Sequence, residues 1–147
     1  MEIFRTCTLL IIVSAVVHLT WEYFHFGLYT AYSHWTGTTP VYLIATLGDV
    51  LYTLGAFALV SAIKKTYEWI HDATIVDYFT LVSVGFLIAL FVEYKGLALD
   101  RWQYLPDMPL VPFFEVGLSP VLQMSILLPL TFFVMQRIQR WFFSSQM

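Results

Sequence analysis

The chain has 147 residues, of which 59% are hydrophobic and only 12% are charged, and its formal net charge is −3. Since a soluble domain carries roughly 25% charged residues, this composition indicates an integral membrane protein, and it offers no basic patch for nucleic acid. The single cysteine excludes an internal disulfide and a cysteine-based zinc or iron–sulfur site. At about 20 residues per span, the length predicts four spans in a single domain.

The first predicted span covers residues 6–29. Its apolar run continues well past the length of a signal peptide, which favours a span over a cleaved leader. A polar loop at residues 33–40 follows, with Gly37 and Pro40 as helix breakers. The second predicted span covers residues 41–63, stops at two lysines and holds one charge, Asp49.

A short loop with Trp69 as an interfacial anchor leads to the third predicted span, residues 78–98, which carries Glu93. The next connection holds three prolines within seven residues, which forbids a regular helix. We expect it to fold back onto the membrane surface or into the mouth of the bundle. The fourth predicted span, residues 119–135, opens with Ser119 as N-cap and is expected to kink at Pro129.

The sequence therefore predicts an all-α, four-transmembrane-helix bundle. Basic residues near the ends of the chain and in the second loop outnumber those on the other side, which predicts that both termini are cytoplasmic: Arg5, Lys64, Lys65, Arg137 and Arg140 against Lys95 and Arg101. We expect a multi-pass protein of a bacterial inner membrane. The sequence leaves open whether the chain forms a homo-oligomer.

Polar residues interrupt all four apolar runs at a similar depth. On a helix, residues i, i+4 and i+7 share one face, so His18, Glu22 and His25 form one ionisable stripe. With the predicted orientation, Glu22 lies roughly 10–12 Å and Asp49 roughly 13–15 Å below the outer ends of their spans. Ionisable groups at such depths normally face a partner or a cavity, so we predict a polar pocket in the outer half of the bundle. His25 lies nearest the surface and is the weakest member of the stripe.

Two interpretations of the pocket residues compete. They can hold the helices together through hydrogen bonds alone, or they can form a working site. In a working site the candidate catalytic residues are His18, Glu22, Asp49 and Glu93, and the candidate ligand-binding residues are Trp21, Tyr52, Gln123 and Trp102.

Three chemistries fit such a constellation. Carboxyl groups in an apolar pocket suit general acid–base work. The same acids with His18 could hold a divalent metal, but the Glu-x-x-His pairs of di-iron bundles are missing from the sequence, and we predict neither a metal nor a cofactor. A proton-coupled transporter is a third interpretation, which would require oligomerisation in a chain without an inverted repeat.

Two resemblances bear on these interpretations. The whole chain resembles a recurrent type of small bacterial four-span membrane protein, through motifs that bring no function with them: Trp21-Glu22, Gly48-Asp49, Arg101-Trp102-x-Tyr104 and Gly117-Leu118-Ser119-Pro120-x-Leu122-Gln123. Val17-His18-Leu19-Thr20-Trp21-Glu22, with Asp49 and Glu93, is similar to the pattern of the EXPERA (emopamil-binding, sterol isomerase-like) family. That resemblance implies a cavity for an amphiphilic ligand. The chain departs from the family in its short length, its Asp on the second span and its proline-rich third loop.

We therefore expect the pocket to bind a membrane lipid or small hydrophobic ligand, isoprenoid or sterol-like, and to isomerise or cyclise it by proton transfer. Glu22 or Asp49 would donate the proton, His18 would tune or accept it, and Trp21 and Tyr52 would stabilise a carbocation. The alternative from another class is a non-catalytic accessory or scaffold subunit whose polar residues only fix helix packing.

Overall fold

The computed structural model describes residues 2–31 and 36–144. Most of this part of the chain belongs to four helices: α1 (Glu2–His25), α2 (Val41–Lys64), α3 (Ile75–Ala98) and α4 (Leu118–Ser144). Each is long and apolar enough to cross a membrane, since a helix of 24 residues extends about 36 Å and a bilayer core is about 30 Å thick. The predicted four-helix membrane bundle is thereby confirmed. The cytoplasmic location of the termini stays a prediction, and residues 33–35 of the predicted polar loop lie outside the described residues.

Local sequence signals set the ends of α2 and α3. The Thr74 hydroxyl accepts a hydrogen bond from the backbone N–H of Asp77, and the Asp77 side chain accepts one from the N–H of Thr74. This capping box starts α3 three residues before the predicted start at Tyr78. At the end of α2, Lys65 adopts a left-handed φ of 57°, which is a common way for a helix to stop.

The helix α4 is longer than the predicted span. It runs through Pro129 to Ser144, because the residues after Met135 are themselves good helix formers. The prediction that Ser119 caps this helix is wrong, because α4 already begins at Leu118. The Ser119 hydroxyl instead lies 2.7 Å from Nδ1 of His25 on α1.

The helices pack in the order α2–α1–α4–α3. The pairs α1/α2, α1/α4 and α3/α4 contact each other closely, whereas α2 and α3 touch only sparingly. The helices α3 and α4 approach each other closely at Gly85, where an added Cβ atom would overlap the backbone carbonyl of Met124. A small residue at this point lets the two helix backbones meet, as is common in membrane bundles.

The helix α3 is displaced along the bundle axis. Since Gly85 abuts Met124 and Ser125, Leu118 at the start of α4 is level with about residue 91 of α3, and α3 continues about 10 Å further. The contact between His25 and Ser119 places the end of α1 at the level where α4 begins. The displacement leaves a gap beside α4 at each end of the bundle, and loop segments fill both gaps.

At the end where α1 begins and α4 ends, called here the terminal end, a short 3₁₀ helix (Glu68–Asp72) fills the gap. The prediction that Trp69 is an interfacial anchor is wrong: its side chain is only 3% exposed. Its ring centroid lies 5.3 Å from that of Phe132 and 6.1 Å from that of Phe57, and its Nε1 donates to the Ser61 hydroxyl at 2.9 Å. The offset of α3 makes room for this indole inside the bundle.

A lid covers the opposite end, called here the lid end. It consists of a 3₁₀ helix (Phe26–Leu28), the antiparallel strands β1 (Tyr29–Ala31) and β2 (Trp102–Tyr104), and the proline-rich loop of residues 105–117. Since β1 follows α1 and β2 follows α3, the strand pair ties these two helices together. The loop is anchored by backbone hydrogen bonds, such as that from the N–H of Leu118 to the carbonyl of Pro109 at 2.7 Å, and it lies at the mouth of the bundle, one of the two positions predicted for it.

The contact at Gly85 yields a first prediction. Gly85→Ala should destabilise the bundle by about 1–3 kcal/mol, because the added methyl group forces α3 and α4 apart. Gly55→Ala is the matched control, since a Cβ at Gly55 meets nothing within 4 Å. Thermal unfolding in detergent measures both, and equal melting temperatures for the two variants would contradict the close approach.

Candidate functional site

The amide nitrogen of Gln123 joins two acids from two other helices. Its Nε2 lies 2.8 Å from Oε1 of Glu22 on α1 and 2.8 Å from Oδ2 of Asp49 on α2. A primary amide has two N–H donors, so one nitrogen satisfies both carboxyl groups. Gln123 itself is only 2% exposed, which makes this bridge a contact of the bundle interior.

Each acid also has a histidine beside it. Nδ1 of His18 lies 3.4 Å from Oδ2 of Asp49, and Nε2 of His25 lies 3.2 Å from Oε2 of Glu22. Neutral His25 satisfies both of its neighbours if it donates to Glu22 and accepts at Nδ1 from the Ser119 hydroxyl, 2.7 Å away. We call His18, Glu22, His25, Asp49 and Gln123 the polar cluster.

The polar cluster can be electrically neutral in more than one way. Two carboxylates with two imidazolium ions carry no net charge, and neither do two carboxylic acids with two neutral imidazoles. A proton can therefore pass between neighbouring groups without creating a net charge, which would be costly in a membrane interior. This arrangement suits proton transfer to or from a bound molecule.

Helical periodicity explains why the three residues that α1 contributes to the polar cluster lie on one face of the helix. The buried face of α1 includes Leu10, Ser14, His18, Glu22 and His25, so the polar residues continue the stripe that packs against α2 and α4. One turn below His18, the Ser14 hydroxyl donates to the hydroxyl of Thr53 on α2 at 3.2 Å. The cluster is therefore built into the packed helix interface.

Glu93 lies in a second group, under the lid. Its carboxyl oxygens accept from the hydroxyl of Tyr104 at 2.5 Å, from Nε1 of Trp102 at 3.4 Å and from the hydroxyl of Tyr29 at 3.5 Å. Tyr104 also accepts the backbone N–H of Gly117 at 2.9 Å. This one carboxyl group on α3 thus binds both lid strands.

The hydroxyl groups of the two lid tyrosines, Tyr29 and Tyr104, are suited to donate hydrogen bonds to Glu93. Burial, together with the nearby carboxyl of Glu93, raises the pKa of the Tyr104 hydroxyl and likewise that of Tyr29. Both hydroxyls therefore remain protonated at neutral pH. The indole of Trp102 lies so close to Gly96 that a Cβ atom there would overlap the ring, which fixes the strand β2 against α3.

A cavity of about 270 Å³ lies between the polar cluster and the lid. Its walls are mostly apolar and come largely from the facing sides of two helices: Ile44, Ala45, Gly48 and Tyr52 of α2, and Ile88, Ala89 and Val92 of α3. Glu22, His25, Asp49, Glu93 and Gln123 supply its polar side, and Arg101 lines it beside the lid. An apolar space with a few convergent polar groups is the usual form of a small-molecule site.

An apolar layer separates the cavity from the terminal end. Leu10, Phe57, Leu81, Leu128 and Phe132 come from all four helices and are buried in one contiguous core. The buried residues of this layer are all hydrophobic, and Leu9, Leu54 and Val84 pack against them. Toward the terminal end, the Trp69 indole donates to the Ser61 hydroxyl and the Gln136 amide donates to the carbonyl of His71.

The structure brings most of the predicted residues together, in two groups. His18, Glu22, Asp49 and Gln123 meet in the polar cluster, whereas Glu93 and Trp102 join the lid strands and contact the same cavity. Tyr52 lines the cavity, but Trp21 does not. Trp21 lies in an apolar groove between α1 and α4, near Val17, Leu127 and Leu130.

His25 is a stronger member of the site than the sequence predicts, and Ser119, Tyr29 and Tyr104 are site residues that the sequence did not predict. His25 is only 8% exposed, although its position near a span end suggested the surface; its i+7 spacing from His18 was the available signal. The tyrosines reach Glu93 only through the pairing of β1 with β2, for which the sequence gives no local signal.

In the described part of the chain, no three His, Cys, Asp or Glu side chains are grouped so that they could hold a metal ion. Compared with protein-family models, with curated proteins and with solved structures, the chain gives no match. The geometry of the cavity and the polar cluster therefore provides the basis for inferring function.

The bridging amide yields a second prediction. Gln123→Leu should lower the free energy of unfolding by about 1.5–3 kcal/mol, because hydrogen bonds to charged groups contribute about that much and both acids lose their shared donor. Gln139→Leu is the matched control on the same helix: Gln139 is equally buried, but its Oε1 has no partner among the described residues. Chemical unfolding in detergent should show a smaller loss for Gln139→Leu, because its one contact, from Nε2 to the Thr6 hydroxyl, is long at 3.5 Å. A similar loss for both variants would contradict the role of the bridge.

Proposed function

We propose that this chain binds an isoprenoid- or sterol-like membrane lipid in the cavity and transfers a proton at the unsaturated end of that lipid. The observation that carries the proposal is the position of the polar cluster, a set of acids and imidazoles at the side of a mostly apolar cavity. The apolar walls suit a hydrocarbon ligand. The first-span resemblance to the EXPERA family favours the same ligand class, and the resemblance to small bacterial proteins favours a bacterial inner membrane.

The proposed reaction is a shift of a double bond. The acid form of Glu22 or Asp49 adds its proton to one alkene carbon, and positive charge develops on the adjacent carbon. A proton then leaves the next carbon for the other carboxylate or for the imidazole of His25, both of which line the cavity, and the double bond re-forms one position along. His18 lies behind Asp49, 3.4 Å away, and accepts a proton only through that acid. Electrons move only within the ligand, so no oxidant or reductant is needed.

Aromatic rings beside the cavity support a cationic intermediate. The negative face of an aromatic ring attracts a nearby cation, and Tyr52, Tyr29 and Trp102 all line the cavity. Trp21, the other aromatic residue proposed for this task, lies outside it. Tyr52 is therefore the better candidate of the two.

The competing interpretations have less support. A scaffold subunit would need only a filled bundle, whereas here α2 and α3 enclose a cavity. A proton-coupled transporter would need a polar path to the terminal end, and the apolar layer around Phe57 and Phe132 separates the cluster from that end.

Filling the cavity tests ligand binding. Ala45→Phe should reduce the amount of isoprenoid- or sterol-like lipid that co-purifies with the protein by about tenfold or more, equivalent to about 1.4 kcal/mol, because the ring occupies the space of the ligand. Ala58→Phe, on an exposed position of the same helix, should leave the amount unchanged. Mass spectrometry of extracted lipids measures both, and equal lipid content in the two variants would argue against the cavity as the site.

Proton transfer is tested in deuterated water with a linear isoprenoid alcohol. The wild-type protein should incorporate deuterium into the alcohol at carbon, and Asp49→Asn or Glu22→Gln should slow this by about a hundredfold or more, the usual contribution of a general acid. Asp72→Asn, exposed at the terminal end, is the control. Unchanged exchange in both cluster variants, with the bundle still folded, would rule out the proposed chemistry.

A further inference from the structure

Among the residues that the structure describes, the cavity is closed on every side except one. The polar cluster and the apolar layer close it toward the terminal end, and Phe26, Tyr29 and Trp102 of the lid close the other end. Close packing of α1 against α2, α1 against α4 and α3 against α4 closes three lateral sides. The fourth side is the seam between α2 and α3, which touch only sparingly.

The cavity is also too small for a whole membrane lipid. An apolar cavity of about 150 Å³ is filled by benzene, so about 270 Å³ holds less than twice that volume. A complete sterol or a long isoprenoid exceeds this. If such a molecule places its polar or unsaturated end at the cluster, the rest of it must lie outside the cavity.

We propose that the seam between α2 and α3 is a lateral opening to the bilayer, and that the site takes a single-chain amphiphile whose tail remains in the lipid. This inference rests on the proposed function, because it assumes that the cavity holds the end of a lipid. A lateral opening restricts the class of ligand from isoprenoid- or sterol-like lipids to slender linear molecules. A fused ring system would pass between α2 and α3 only if the two helices separated.

The residues of the seam fit that use. Ala45 and Gly48 on α2 and Ala89 on α3 all line the cavity. Because these residues are small, they leave space between the two helices. Leu51, three residues from Gly48, and Phe91, three residues from Ile88, lie beside the lining faces. Leu51 is 67% and Phe91 59% exposed, so apolar side chains border the opening where a hydrocarbon tail would leave it.

Photo-crosslinking with farnesol, a linear isoprenoid alcohol, tests the proposal in lipid nanodiscs. One probe carries a diazirine beside the hydroxyl and the other carries it at the far end of the chain. The first probe should label cavity residues such as Tyr52 and Met124, and the second should label the seam at Leu51 and Phe91. Peptide mapping by mass spectrometry reads the positions.

The two probes separate failure of the inference from failure of the proposed function. If the first labels the cavity but the second labels the groove near Val16 and Leu127, or the lid loop near Phe113, the lateral opening is wrong and the binding site stands. If neither probe labels the protein above the level of Ala45→Phe, the proposed function fails and the inference fails with it.

A disulfide across the lid distinguishes lateral access from access through the lid. Thr30 and Gln103 are partners in the β1–β2 pair, and such pairs have the Cα separation that a disulfide requires. In a Cys7→Ala background, Thr30→Cys with Gln103→Cys should fix the end of α1 to the end of α3. The rate of cavity labelling should be the same before and after reduction, and labelling that appears only after reduction would overturn the proposal.

Discussion

The amide of Gln123 is the contact on which the site depends. Carboxyl groups at membrane depth are expensive unless every polar atom has a partner, and two acids side by side add mutual repulsion. One amide nitrogen reduces both costs, because it gives each carboxyl group a hydrogen-bond donor and lies between the two acids. Its two N–H groups bind Glu22 and Asp49 at equal distances of 2.8 Å. Since the three residues come from α1, α2 and α4, the same contact also fixes how three helices are placed relative to each other.

The offset of α3 has equally wide effects. Close contact at Gly85 sets the height of this helix against α4, and the remaining geometry follows from that height. At the terminal end, the offset leaves space in the core for the side chain of Trp69. At the lid end, the last two turns of α3 extend beyond the level at which α4 begins and α1 ends. Glu93 and Gly96 lie on those turns, where they bind the lid strands. The lid therefore rests against the side of a helix and spans the ends of the others.

Much of this architecture could be predicted from the sequence, because it depends on local patterns. Apolar runs located all four helices, and the shared depth of Glu22, Asp49 and Gln123 predicted their meeting. What could not be predicted depends on longer-range geometry. The burial of Trp69 follows from the offset of α3, and the partners of Glu93 follow from a strand pair between segments more than seventy residues apart. The location of Trp21 depends on how α1 is rotated about its own axis. The polar stripe on α1 indicates that rotation only roughly, so it does not show whether the residue next to Glu22 faces the cavity or the groove.

The connection of the lid strands has a consequence for biogenesis. Helices enter the membrane in chain order, and β1 has no partner until α3 has been inserted, because β2 is made only after it. The first two helices therefore form a hairpin that carries Glu22 and Asp49 before any lid or bridging amide exists. In that intermediate, His18 is the neighbour that can pair with Asp49. The pairing of His18 with Asp49 therefore needs only α1 and α2, whereas the amide bridge needs α4 as well.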